Sequence, residues 1–343
     1  MLNGRSSRCT APEYPSHGTN GLRLPSGYGE LGYGWPRVDT CAAKASFSYH
    51  IGRSCLKDIR AVSDGIDEET TASGLEDFWR APGVSADDEV DAFDSVMNVL
   101  APLVTDCANM DDDNWFDEQF QLAVEDLDPK SSTGFSTLAR YGATIGEALK
   151  RDPFDGTYDP NRVRVLKEMV KQRLAEPENP DPILMFIKPE PHKQAKLAEG
   201  RLRLISAVGL VDTMVDRVMF GWLHRAVMAN VGRTPMMVGW SPYGGGFRLL
   251  TSRFIGRQAL CADRSSWDWT VQGWLVKCQR DIIQHLAAGS PPWWNSWVRK
   301  RWQALFRDAV YGFRSGERIR QPGWGVMKSG CYLTIFLNSL AQL

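Results

Sequence analysis

Four groups of residues have types and spacings suited to phosphate chemistry. Asp263 and Asp268 stand five positions apart in CADRSSWD, at the end of an apolar run, ALCAD (259–263), and ahead of a helical pattern from Thr270. A strand that delivers a carboxylate to its edge can hold a hard divalent cation against triphosphate oxygens, since such cations take oxygen ligands. The spacing alone is weak: Asp106/Asp111 and Asp112/Asp117 share it inside an acidic run, and a turn carboxylate at a strand end fits as well. The second group is Lys328-Ser329-Gly330 followed by Thr334 and Asn338. Ser-Gly opens a helix, and residues four apart point from one helical face. No GxxxxGK[ST] accompanies it, so the phosphate loop of that motif is excluded; an ordinary polar helix start is the plainer reading. The third is a basic strand–loop–strand segment with Lys188, Lys196, Arg201 and Arg203, the last two on one face of a predicted strand where they suit bidentate grip of phosphates. Its plainer reading is a solvated basic hairpin. The fourth is Trp293, Trp294, Trp297 and Trp302 beside Arg299-Lys300-Arg301. Such interleaving can stack on single-stranded RNA, but the spacing fits a packed helix face better.

The elements that must position these groups can be read from periodicity and punctuation. Val90 to Val104 has helical apolar spacing. Asp159-Pro160 predicts an N-cap with Pro at the first helical position, opening a helix to about Ala175. ILMFIK (183–188) and RLRLISA (201–207) read as strands, Leu210 to Ala229 as a long helix, and ALCAD as a short strand. Val271 to Ala288 and Trp294 to Val310 read as helices, GERIRQPG (316–323) as a strand entering a turn, and Val326 to Leu343 as a helix without a C-cap, as if the chain were cut short.

Length and composition set the frame. A chain of 343 residues, 43% hydrophobic, can bury a large core and suggests two or three domains. No run of eighteen apolar residues predicts a membrane span, and the N-terminus has no apolar core of a secretion signal. Seven dispersed cysteines without CxxC read as reduced thiols, and five scattered histidines give no zinc spacing. The net charge of −1 hides an asymmetry: residues 64–128 carry 20 acidic residues against one basic, Arg80, whereas 129–343 carry 31 basic against 17 acidic, a net of +14. The basic part suits a polyanionic partner; the acidic run reads as a solvated face. Residues 1–40, rich in Gly, Pro and Ser, read as an extended arm.

Taken in order, these segments resemble the motifs of viral RNA-dependent RNA polymerases. The basic segment 188–205 resembles motif F, DRSSWD resembles motif A, and SGCYLTIFLNS resembles motif B, SGxxxTxxxNS. KPEPH with GRLRLI, the WDW run and QPGWGVMKSG are most similar to sobemovirus-like and luteovirus-type polymerases. SSTGF (131–135) with Gly142 to Leu149 is similar to the template-guiding motif G, and GWP (34–36) to the start of the fingers. Each motif alone is weak; the ordered set is specific.

The resemblance implies an α+β right-hand architecture: an arm (1–40), fingers (41–256, with the acidic segment 64–128, the motif G-like stretch 131–149 and motif F 188–205) and a partial palm (257–343) with motifs A and B, the thumb being absent. It implies RNA-directed RNA polymerase activity, with Asp263 as the catalytic residue and ligand of Mg²⁺ or Mn²⁺. Asp268 and Asn338, with Ser329, Gly330 and Thr334 shaping the loop beside them, would read the ribose 2′-OH. Lys188, Lys196, Arg201 and Arg203 would neutralise the triphosphate, while His192 and Lys193 fall between matched positions. The implied partners are template and nascent RNA, ribonucleoside triphosphates and, in one mode of initiation, a protein primer; the implied location is a replication complex in the host cytoplasm. No GDD-type hairpin (motif C) follows motif B before Leu343, so a fragment inactive alone is expected, with an unpaired strand at Asp263. A reverse transcriptase would carry a bulky aromatic where Asp268 stands. A non-catalytic viral RNA-binding protein is the alternative from a different class.

Overall fold

The computed structural model describes residues 33–34, 42–44, 46–47, 86–259, 261–264, 266–321 and 323–343. Most of the N-terminal arm, Trp35 and Pro36 of GWP, and the first part of the acidic run (64–85) lie outside the described residues. The architecture is α+β.

The longest described helix, α6 (Leu210–Ala229), forms the centre. Thirteen of its twenty residues are buried, so it is an interior helix rather than an amphipathic one. Around it stand α2 (Trp115–Glu125), α4 (Pro160–Ala175), α9 (Gly273–Leu286) and α10 (Pro292–Phe306). Helix α4 begins as its sequence dictates: Asp159 accepts from the amides of Asn161 and Arg162, and Pro160 occupies the first turn. Helix α1 spans Ala86–Leu100 and gives way to a 3₁₀ turn at Ala101–Leu103, four residues earlier than the apolar spacing suggests, because Pro102 has no amide hydrogen to continue the ladder. Helix α3 (Ile145–Ala148) opens on a reciprocal cap between Thr144 and Glu147.

The tryptophan-rich helix is a packed face. Trp294, Trp297 and Trp302 are buried, and their indole N–H groups donate to the carbonyls of Met219, Leu174 and Val276. Arg301, within the same basic triplet, is fully buried. Its guanidinium donates to Asp216 Oδ1 and Oδ2 at 2.8 and 2.9 Å and to Asp212 Oδ1 at 2.8 Å. Asp212 also accepts from Arg173 of α4 at 2.6 Å and from the Asp181 amide at 2.9 Å. This ionic cluster ties α4, α6 and α10 to the chain entering the sheet.

The main sheet has the order β5-β3-β7-β8: β5 (Leu204–Ala207), β3 (Ile183–Ile187), β7 (Val310–Gly312) and β8 (Arg318–Arg320). Strand β3 is antiparallel to β5 and parallel to β7. The excursion between β3 and β5 carries β4 (His192–Lys193), which pairs with β1 (Tyr33–Gly34), and the short helix α5 (Gln194–Ala198). Two further short strands, β2 (Thr105–Asp106) and β6 (Ala287–Ala288), pair in parallel.

Several expectations need correction. Residues 201–203 precede β5 rather than belonging to it, because the Arg203 amide donates to His192 and the Arg201 amide closes the turn after α5 on Lys196 O. The face shared by Arg201 and Arg203 is therefore set by a loop. The described residues of 259–263 form no strand; they are exposed, and no described segment offers them a ladder of hydrogen bonds. The helix expected from Val271 starts only at Gly273: a short helix, α8 (Trp267–Thr270), ends at Val271, and Gln272 is extended at the start of α9. The C-terminal helix, α11, covers only Thr334–Leu340. The amides of Val326, Met327 and Gly330 donate instead to Val271 O, Asp268 O and Ser206 O, so this stretch is bound to neighbouring segments and not to itself.

Candidate active site

A cleft of about 760 Å³ lies between the β3–β5 excursion, the 263–269 segment and the loop before α11. Its lining includes Lys188, Lys196, Arg201, Arg203, Asp263, Asp268 and Ser329. Seven of the residues singled out by type and spacing thus meet, although up to 141 positions separate them in sequence.

The basic side has its own counter-ions. Glu190 pairs with Lys188 at 2.7 Å and with Arg203 at 2.8 Å, and Glu199 pairs with Arg201. These two glutamates went unremarked in the sequence, though both lie within the basic segment. The cations hold the Glu190 carboxyl below its usual range against an opposing effect of burial, which is the largest single influence. Lys196 is exposed on α5. His192 is the hinge of this segment. It is buried, and its Nε2 accepts from the Arg203 amide at 3.0 Å, so the proton sits on Nδ1, which donates to Glu190 O at 2.7 Å. Burial lowers its pKa below the ordinary 6.5, in keeping with a neutral ring.

The acidic side is asymmetric. Asp263 is exposed, whereas Asp268 is half-buried at the start of α8. Burial raises the Asp268 pKa, and the charge of Arg203 across the cleft opposes that rise. Ser266 between them has φ of 54°, a left-handed conformation that is uncommon outside glycine. Arg264 lies over the Trp267 ring at 4.7 Å and also lines the cleft. Mg²⁺-sized cations are held by one or two carboxylates together with waters and substrate phosphates. The exposed carboxylate of Asp263 suits that donor set, while among the described residues no group of three or more His, Cys, Asp or Glu could form an all-protein cage.

The Ser329 loop is docked on β5. The Ser329 amide donates to Ser206 Oγ at 2.8 Å, the Ser206 amide donates to Ser329 Oγ at 3.1 Å, and the Gly330 amide donates to Ser206 O at 3.1 Å. A Cβ on Gly330 would stand 2.6 Å from Ser206 O, so glycine here serves close approach rather than loop flexibility. Thr334 and Asn338 stand outside the lining of the cleft. Thr334 Oγ1 donates to the carbonyls of Lys328 and Cys331, and Asn338 Oδ1 accepts from Trp267 Nε1 at 2.8 Å. Asn338 therefore braces the residue next to Asp268. A second cleft, about 460 Å³, is lined on one side by Ser131, Ser132 and Ile145 and on the other by Gly330, Cys331 and Tyr332.

Residues 80–343 match the family model described as viral RNA-dependent RNA polymerase. The chain is 35% identical over 178 residues to the Replicase polyprotein P2AB of Southern cowpea mosaic virus, covering 50% of this chain and 18% of that protein. It is 26% identical over 338 residues to the Protein P1-P2 of Potato leafroll virus (strain Potato/Scotland/strain 1/1984), covering 90% and 30%. It is 31% identical over 163 residues to the RNA-directed RNA polymerase of Mushroom bacilliform virus, covering 46% and 39%. The aligned regions thus take in less than two fifths of each of these curated relatives. Among solved structures, the Sicinivirus 3Dpol RNA dependent RNA polymerase aligns with a TM-score of 0.48 at 20% identity, covering 71% of this chain and 51% of that one.

Proposed function

For a chain that belongs to the viral RNA-dependent RNA polymerase family, we propose that the cleft is the site of template-directed ribonucleotidyl transfer in viral RNA replication. One observation carries this reading: four cations, two carboxylates and Ser329 converge on one cleft. Phosphoryl transfer asks a protein mainly for positioning and charge neutralisation. Lys188, Lys196, Arg201 and Arg203 bind the triphosphate and then the leaving pyrophosphate, with phosphate oxygens taking the place that Glu190 holds on Lys188 and Arg203. Asp268 accepts from the ribose 2′-OH, a group absent from deoxyribonucleotides. Asn338, through Trp267, and Ser329, through Ser206, keep the residues around that hydroxyl in register. Polymerases of this family work with divalent metal ions. Mg²⁺ or Mn²⁺ held by Asp263 would supply Lewis-acid stabilisation of the charge that develops on the phosphoryl oxygens. The primer 3′-OH attacks the α-phosphorus in line, and RNA template and product are the macromolecular partners. Protein priming and a cytoplasmic replication complex belong to the same proposal.

The test is metal-dependent incorporation of labelled ribonucleotide on an RNA template. It compares residues 1–343 with the whole open reading frame that contains them. Incorporation by the whole reading frame's product, lost in Asp263→Ala, is the expected result. RNA binding with a steep salt dependence and no incorporation by either would instead favour a non-catalytic RNA-binding protein.

A further inference from the structure

Lys328 is fully buried beneath the loop that carries Ser329. Its Nζ donates to Gln321 Oε1 at 2.6 Å and to Val326 O at 2.8 Å, with Gly325 O at 3.4 Å. The amine also lies over the rings of Phe306 and Tyr311 at 5.3 and 5.6 Å. Among the described residues no carboxylate pairs with it. A lysine is an expensive residue to bury without a counter-charge, so its place needs a reason beyond filling space.

The acceptors supply one. Val326 is β-branched, buried and left-handed, with φ of 54°, directly after Gly325 at φ of 128°. Such a backbone persists only where its surroundings over-determine it. Here the Val326 carbonyl receives the Lys328 amine, and the Val326 amide donates to Val271 O at 3.2 Å. Gln321 is the anchor on the other side. Its Oε1 takes both Lys328 Nζ and Tyr311 OH (2.7 Å), and its Nε2 donates to the carbonyls of Phe306, Gly323 and Gly325. The loop fixed in this way touches both walls of the cleft: the Met327 amide donates to Asp268 O at 2.7 Å, and Ser329 is locked on Ser206.

Resting on the polymerase reading above, we propose that Lys328 is a positioning residue. Its buried amine, held between Gln321 and the left-handed Val326, sets the separation of Asp268 and Ser329 and with it the preference of the cleft for ribonucleoside over deoxyribonucleoside triphosphates. Lys328 itself touches no substrate.

The experiment uses the full chain and its variants Lys328→Met, Lys328→Arg and Tyr311→Phe. Amide exchange of Met327 and Ser329 reports the loop, and calorimetric titration of ATP and 2′-deoxy-ATP in Mg²⁺ reports the preference. Lys328→Met should lose about tenfold or more in protection at Met327 and Ser329 while α6 stays protected. It should also weaken ATP about fivefold with little change for 2′-deoxy-ATP, the weight of one hydrogen bond. Lys328→Arg should recover part of both. Tyr311→Phe removes one bond to Gln321 and keeps the ring, so it should show a smaller shift of the same sign if Lys328→Met does not fold. Unchanged protection at Met327 and Ser329 in Lys328→Met, or in Tyr311→Phe when that is the variant that folds, overturns the positioning role. Lost protection with an unchanged ATP to 2′-deoxy-ATP ratio overturns the link to sugar preference. A wild-type chain that binds neither nucleotide refutes the polymerase reading and the sugar preference with it, and the exchange measurement still decides the loop.

Discussion

Replacing Arg301 with Met tests whether the buried ionic cluster, and not apolar packing alone, holds the helices against the sheet. Arg301 is inaccessible, as is Asp212, and Asp216 is 2% exposed. Both oxygens of Asp216 accept from Arg301, at 2.8 and 2.9 Å. Asp212 keeps Arg173 and the Asp181 amide after the change, whereas Asp216 loses both guanidinium bonds. Methionine approximates the length of the arginine stem, so the lost volume is small and the loss is electrostatic. Stranding a buried carboxylate costs about 3–5 kcal/mol. The assay is urea unfolding followed by tryptophan fluorescence, with the m-value checked against wild type. The deficit should depend on pH with a definite sign. Burial pushes the Asp216 carboxyl up, and without Arg301 nothing on α10 opposes it. The folded variant then binds a proton that the unfolded chain has already released. Its stability falls as pH rises through the raised value, and the deficit shrinks as pH is lowered. Adding Asp216→Leu to Arg301→Met should recover most of the loss, since apolar replacement of a buried pair is often neutral. A deficit below about 1 kcal/mol, or a double variant no better than the single one, would refute the reasoning.

Two further changes bear on the cleft. Glu190→Gln frees Lys188 and Arg203 from their shared carboxylate; ATP affinity should rise by about two- to tenfold, with a steeper dependence on KCl. Weaker binding would mean that Glu190 aims these cations instead of competing for them. His192 is buried and neutral with its pKa below the ordinary 6.5, so the unfolded chain binds the extra proton first. Its contribution is whole above pH about 6.5 and is lost as pH falls below that value, and His192→Phe should flatten this acid limb of a melting-temperature profile.

How much was legible in the sequence follows the range of the physics involved. The start of α4 was readable because the cap, the proline and the orphan amides they satisfy all lie within four residues, and Leu210–Ala229 was readable because a long apolar run has few other places to go. The charge asymmetry and the ordered motifs likewise lie on the chain itself. The tertiary structure decided the rest, since it depends on which distant atoms compete for one partner. Spacing put Thr334 and Asn338 on one helical face, yet only the fold turned Asn338 to Trp267 and Thr334 to the loop carbonyls. Spacing marked Arg201 and Arg203 as strand neighbours, but His192 captured the Arg203 amide and the strand starts only at Leu204. Nothing in the local sequence marks Arg301 or Lys328 as buried, since lysine and arginine are almost never fully buried unless paired. Their burial follows from acceptors brought alongside by the fold, some seven positions away and some more than eighty, a juxtaposition that no local pattern encodes.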